Sequence, residues 1–266
     1  MSSQGQELLV LYDIPSAKGG ETWSPNVWRT RAFTDPVDRL ALNYKGVRYR
    51  TEWVEYPDIK AVGISIGAKA TIVEPDGSST WTCPMLVDPN TLDANGAPTV
   101  ISDSYNIARY LEDTYPSPRL FPIGTMALHQ SWARFVSMGI HKPLVDLLIP
   151  VCPDILAPRS REYFISTREE DFGPLNKICP VREKGWELVR VGLDRIALAL
   201  DENGDAQEAN LRVIPGCTSY ADFQLLAPLL WAVALVSEEE VSALKEWNGG
   251  RWGKLIDLHW DLLVVK

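Results

Sequence analysis

The first half of this chain alternates short apolar runs with stretches of helical period, and the second half is helical throughout. Leu8 to Tyr12 is an apolar run that stops at Asp13-Ile14-Pro15 and a Gly19-Gly20 loop, which predicts a buried first strand. Arg48 to Val54 predicts a second. Helical stretches begin at Pro25, and Asp58 to Lys69 places Ile59, Val62 and Ile66 at helical spacing. Thr82 to Val87 and the run around Thr99-Val100-Ile101 predict two further strands joined by a turn-rich stretch. A helix from Asp103 to Tyr115 then puts Ser104, Ile107, Ala108, Leu111 and Tyr115 on one face, which packs on the sheet. The resulting β-α-β-α-β-β-α order is thioredoxin-like.

Pro116, Pro118 and Pro122 forbid helix continuation and mark a stiff linker. This divides the chain into 1–116, a linker 117–124, and 125–266. Beyond the linker the helical stretches are Met126 to Leu148, Val181 to Leu200, Tyr220 to Val236, and Glu239 to Val264 with a break near Gly249-Gly250. The expected architecture is an α/β thioredoxin-like N-terminal domain followed by an all-α helical bundle. Ser219-Tyr220-Ala221-Asp222, just ahead of the most apolar helix, reads as a capping box with a structural role.

Composition narrows the function classes. At 266 residues, 45% hydrophobic and 23% charged, the chain is ordinary for a globular protein of two modest domains. A net charge of -9 and the lack of a basic stripe argue against nucleic acid and anionic membranes as partners. The apolar stretch Phe223 to Val236 is too short to span a bilayer. No basic region leads an apolar segment at Met1 to Glu7, so a cytoplasmic setting is expected. Cys83, Cys152, Cys179 and Cys217 show no metal spacing and read as separate thiols; no metal is expected.

Three local patterns carry candidate chemistry. Cys83-Pro84 stands at the mouth of a strand, where a cis bond would leave the Cys83 main chain open to an extended peptide. The helix start at Asp103-Ser104 offers N–H groups for a carboxylate, and Asp103 a carboxylate for an ammonium, which together fit an α-amino-acid head group. The same residues are equally read as a hairpin and a helix cap. Ser24-Pro25 after the first strand reads as an N-cap and first helical residue. Gly63-Ile64-Ser65-Ile66-Gly67 matches a nucleophile elbow but lies in helical spacing, without the required strand. His129, His141 and His259 are far apart and read as bundle residues.

The strand–proline–strand–helix order with Pro84 and Asp103-Ser104 resembles the glutathione-binding half of cytosolic glutathione transferases. Ser24-Pro25-Asn26, read with Leu42-Asn43-Tyr44-Lys45-Gly46 and Trp53 to Ile59, resembles their fungal etherase-like, serine-type, FuA-like class, over nearly the whole chain. The resemblance implies the glutathione transferase fold, glutathione as co-substrate, and a homodimer. It implies Ser24 as the stabiliser of the thiolate, with Asn26, Cys83, Pro84, Asp103 and Ser104 around glutathione. Hydrophobic, aromatic or phenolic small molecules are the implied second substrates, with β-aryl-ether cleavage among the reactions. The alternative is a ligandin-type protein that binds polyphenols or glutathionyl conjugates without turnover. Trp28, Tyr56 and the residues near Met138 are candidates for the acceptor pocket, and most of the ten tryptophans are expected in the core. Ala32 to Arg39 look inserted relative to that class, and Thr34-Asp35-Pro36 predicts a helix that stops and restarts.

Overall fold

The computed structural model describes residues 6–16, 37–204 and 210–264. Strand β1, Leu9–Asp13, is the buried centre of a four-stranded sheet of order β2-β1-β5-β6, with β2 (Tyr49–Trp53), β5 (Met85–Leu92) and β6 (Pro98–Ser102). It pairs in parallel with β2 and antiparallel with β5, as its nearly continuous apolar run requires of a strand covered on both faces. Helix α1, Val37–Tyr44, buries Val37, Leu40, Ala41 and Leu42; the stop and restart expected at Thr34-Asp35-Pro36 lies outside the described residues. Helix α2, Ile59–Ile66, follows β2, and α3, Ser104–Thr114, follows β6 and buries Ile107, Ala108 and Leu111. The structure adds a hairpin the sequence reading lacks: β3 (Ile72–Val73) with β4 (Ser79–Thr80), closed around Pro75-Asp76-Gly77.

The remaining described chain is helical: α4 (Met126–Val136), α5 (Lys142–Leu148), α6 (Pro158–Phe172), α7 (Arg182–Asp201), α8 (Tyr220–Leu235) and α9 (Glu238–Leu258). A π-turn, Ser137–His141, joins α4 to α5. There α7 crosses at backbone contact, since a Cβ on Gly192 would lie 2.0 Å from the Gly139 carbonyl oxygen. Helix α9 departs from helical geometry at Trp247 to Gly250, where the sequence places its break. The run Met126–Ile155 is, by length and composition, apolar enough to cross a bilayer. In the fold it packs in the bundle, with Val136, Ile140, Leu144 and Leu148 buried.

Two apolar clusters hold the molecule together, and both draw on strands and bundle. In one, α1, α3 and β1 pack with α4, α7 and α8; in the other, Ile14, Val54, Tyr56, Cys83 and Met85 pack with Ile149, Cys152 and Phe164. Polar ties reinforce the second: the Tyr56 N–H donates to Ser160 Oγ at 3.2 Å, and Ser160 Oγ donates to Glu55 Oε2 at 2.9 Å. Tyr56 is buried against Phe164, ring centres 5.6 Å apart, whereas Met138 is 85% exposed on the π-turn. Among the described tryptophans only Trp252 is buried; most of the others are half-buried, because the indole is long enough to reach from core to surface.

Candidate functional site

Register brings the sequence-predicted residues to one end of the sheet. Met85 pairs with Ser102, so Cys83–Pro84, just ahead of β5, and Asp103-Ser104, just after β6, lie at the same end of the sheet. The Cys83–Pro84 bond is cis. Cys83 lies outside β5, and among the described residues its N–H and C=O bond no other backbone group. Its thiol is buried, and burial, with the charge of Asp13 adding to it, pushes its pKa well above the ordinary range. The side chain is therefore an inert filler of the apolar cluster while the main chain stays available.

Asp103 adopts φ 77°, ψ 129°, a left-handed backbone that few non-glycine residues take. This turns the chain from β6 into α3 in a single residue. Its Oδ1 accepts from the N–H groups of Tyr105 and Asn106, both at 3.1 Å, so Asp103 is a true N-cap. Two donors that the sequence reading offered to a ligand carboxylate are thereby taken by the chain itself. The Ser104 N–H, the Ser104 hydroxyl and Asp103 Oδ2 carry no hydrogen bond among the described residues. Cap and ligand contact are compatible, because the carboxylate has a second oxygen.

Ser24 and Asn26 lie outside the described residues, as does Trp28. Ser65 sits in α2 with its hydroxyl donating to the Val62 carbonyl at 2.8 Å, which excludes a nucleophile elbow. His129 and His259 lie in the bundle, their Nδ1 atoms 2.9 Å and 3.0 Å from the Thr125 and Leu255 carbonyls. No group of three or more His, Cys, Asp or Glu suited to a metal ion occurs among the described residues.

Sequence reasoning missed a charged pair at the same end of the sheet. Asp13 closes β1, and its Oδ2 is 3.0 Å from Nη2 of Arg39 in the first turn of α1. The only local signal is an acid ending an apolar strand; its partner is 26 residues away. Two described cavities, of about 510 Å³ beside Lys45 and Tyr115 and about 410 Å³ beside Trp132 and Val213, include none of Cys83, Pro84, Asp103 or Ser104.

Comparison with known proteins agrees with this layout. Residues 38–114 match the family model of the glutathione S-transferase N-terminal domain, and residues 127–259 that of the C-terminal domain. The crystal structure of glutathione transferase GSTFuA3 from Phanerochaete chrysosporium is 36% identical, with a TM-score of 0.84 over 98% of this chain and 99% of its own. The glutathione complex of CsGST63524 from Ceriporiopsis subvermispora is 35% identical, with a TM-score of 0.83 over 98% of this chain and 99% of its own. The glutathione S-transferase-like protein ustS of Aspergillus flavus is 29% identical over 244 residues, 87% of this chain and 83% of the relative. With both halves matched and solved fungal enzymes similar along almost the full length, the chain belongs to the glutathione transferase family.

Proposed function

We propose that the chain conjugates glutathione to hydrophobic or aromatic electrophiles. The tripeptide lies across the open main chain of Cys83 beside Pro84, and its amino-acid end is held by Asp103 Oδ2 and Ser104. The observation that carries this reading is that Cys83–Pro84 and Asp103-Ser104 flank the paired residues Met85 and Ser102 at one end of the sheet, with hydrogen-bonding capacity left over on each side. Ser24 is assigned the hydrogen bond to the sulfur, and Asn26 a place around glutathione, as the donor that would take the role if Ser24 does not hold it. A free thiol has a pKa of about 8.5, and a fall of two units corresponds to roughly 2.7 kcal/mol of preference for the thiolate. The thiolate attacks the electrophilic carbon and a carbon–sulfur bond forms; at a haloaromatic or aryl-ether carbon the leaving group departs with its electron pair, and at an isothiocyanate carbon the pair moves to nitrogen, which takes a proton. An aryl oxide is among the leaving groups, which is β-aryl-ether cleavage. The resemblance supports a cytoplasmic homodimer, with domains 1–116 and 125–266 joined by a linker at 117–124.

Calorimetry with glutathione, followed by turnover of haloaromatic, isothiocyanate and β-aryl-ether substrates, tests the proposal. Binding with turnover is expected, and Ser24→Ala moves the pH–rate midpoint upward. Absence of glutathione binding overturns the reading. Binding of phenolics without turnover on any substrate replaces it with a ligandin-type role, and an unchanged midpoint in Ser24→Ala transfers the donor to Asn26.

A further inference from the structure

The three residues that lead into Cys83 are each bonded to the chain that leaves α2. The Thr71 N–H donates to the Thr80 carbonyl at 2.9 Å, and Trp81 Nε1 donates to the Ala68 carbonyl at 2.8 Å. The Thr82 N–H and hydroxyl donate to Thr71 Oγ1 at 3.3 Å and 2.9 Å. Trp81 also meets α2 itself. Gly63 is buried in the middle of that helix, and a Cβ there would overlap the indole at Cδ1 and stand 3.0 Å from its Cγ. Those atoms lie at the root of a ring that the bond to Ala68 holds in place, so the indole cannot swing aside as the tip of a flexible chain would. Lys60, one turn earlier on α2, brings its ammonium to 5.8 Å from the centre of the same ring. Glycine is a poor helix former, so its place in mid-helix needs a packing reason, and the indole supplies one. Trp81 packs against the buried apolar cluster that contains both Ala68 and Cys83.

We propose that Trp81, seated on Gly63, is a positioning residue for glutathione: it docks α2 on the segment that delivers the Cys83 main chain, and so fixes where that main chain meets the tripeptide. The inference rests on the reading above that glutathione lies across Cys83. The Cys83 N–H and C=O bond no other backbone group among the described residues, so no ladder partner holds them in place. Strand β5 anchors the chain on one side from Met85, and on the other the anchors are Thr80, Trp81 and Thr82. Trp81 adds to its hydrogen bond a close contact with α2. A binding backbone fixed before the ligand arrives loses less freedom on binding, and a loosened one binds more weakly. The seat acts on the backbone contact rather than on the sulfur, so its loss weakens affinity and leaves the chemical step alone.

The test measures, on the full chain, the calorimetric Kd for glutathione and the kcat on a haloaromatic at saturating glutathione. Gly63→Ala displaces the indole and raises the Kd about tenfold, with kcat within about twofold of wild type. Trp81→Leu removes the ring and raises the Kd by a similar factor. The double variant matches Trp81→Leu, because the added methyl then has no indole to displace, so the two substitutions are not additive. A Gly63→Ala Kd within about twofold of wild type, a kcat that falls in step with affinity, or a double variant that weakens binding by the product of the two factors overturns the inference. Where Gly63→Ala does not fold, Trp81→Leu and the double variant decide: equal and raised Kd values uphold the inference, and any other result overturns it. Where the Trp81→Leu variants do not fold, Gly63→Ala decides by whether Kd moves without kcat. Should the wild type bind glutathione without turnover, the Kd values alone decide. A wild-type protein that binds no glutathione overturns the underlying reading instead, and the assigned role of Trp81 with it.

Discussion

At the start of α8, Ser219 and Asp222 form a capping box that is fully buried; at the start of α9, Ser237 and Glu240 form the same box near the surface, against α7. In the first, Asp222 Oδ2 accepts from the Ser219 N–H at 2.7 Å and hydroxyl at 3.0 Å, and Oδ1 accepts from the Val213 N–H at 2.7 Å. In the second, Glu240 accepts from the Ser237 N–H at 3.0 Å and also from Arg182 Nε at 2.5 Å, Arg182 Nη2 at 2.9 Å and Trp186 Nε1 at 2.6 Å. Burial dominates at Asp222 and raises its pKa despite those donors and the charge of His259. Burial also opposes ionisation at Glu240, but there Arg182, Trp186 and the Ser237 N–H prevail and bring it down to about 2. One local motif therefore serves two purposes. Neutral donors around a dry carboxylate pin a loop to a helix, and a cation beside a wetter one clamps two helices together.

The largest effect should follow from breaking the dry box. Asp222→Ala strips the acceptor from two N–H groups, Ser219 and Val213, at about 1–3 kcal/mol each. We expect a loss of about 3 kcal/mol or more by urea denaturation, with glutathione affinity of the folded fraction within about twofold of wild type. A loss below about 1 kcal/mol would mean that water takes the place of the carboxylate, and the box would then not pin the loop.

The two boxes also predict opposite contributions to acid stability. Glu240 has a folded pKa of about 2 against an ordinary 4.5, so its contribution is present above pH 4.5 and is lost as pH falls toward 2. After discounting for partly exposed side chains, that contribution is about 1–2 kcal/mol. Asp222 has a folded pKa above its ordinary 3.8, so it favours folding below 3.8 and that gain is lost as pH rises through the folded value. Glu240→Gln should therefore flatten the acid limb of a urea-midpoint against pH plot, and Asp222→Asn should steepen it. Equal slopes in the two variants would show that the surroundings do not separate the boxes.

The same contrast marks what the sequence makes legible. β1 and β2, α3, and the buried start of α8 lie within two residues of their expected positions, because each buries a local pattern that periodicity or capping chemistry exposes. Helix α6 escapes because its segment is largely polar and buries only Ser160 and Phe164. The β3–β4 hairpin had a usable signal in Pro75-Asp76-Gly77, but strands of two residues give no period to read. At the site, Cys83–Pro84 and Asp103-Ser104 are contiguous motifs and were legible; the Asp13–Arg39 pair, 26 residues apart, forms only when β1 and α1 pack. Glu240's partnership with Arg182 spans 58 residues and is hidden for the same reason.

The smallest effect, and the sharpest control on the comparison, is Ser237→Ala. Ser237 Oγ accepts from the Glu240 N–H at 3.3 Å, a long bond at an exposed helix start, so the donor it releases is rehydrated at once. The expected cost is about 0.5–1 kcal/mol, the low end for an N-cap serine. Glu240 keeps Arg182 and Trp186 in this variant, so the acid limb of the stability profile should hold its wild-type slope while the whole curve drops. A change of slope would mean that the capping serine, rather than the cation on α7, holds the Glu240 carboxyl in its ionised form, and the division of labour between the two boxes would then rest on capping alone.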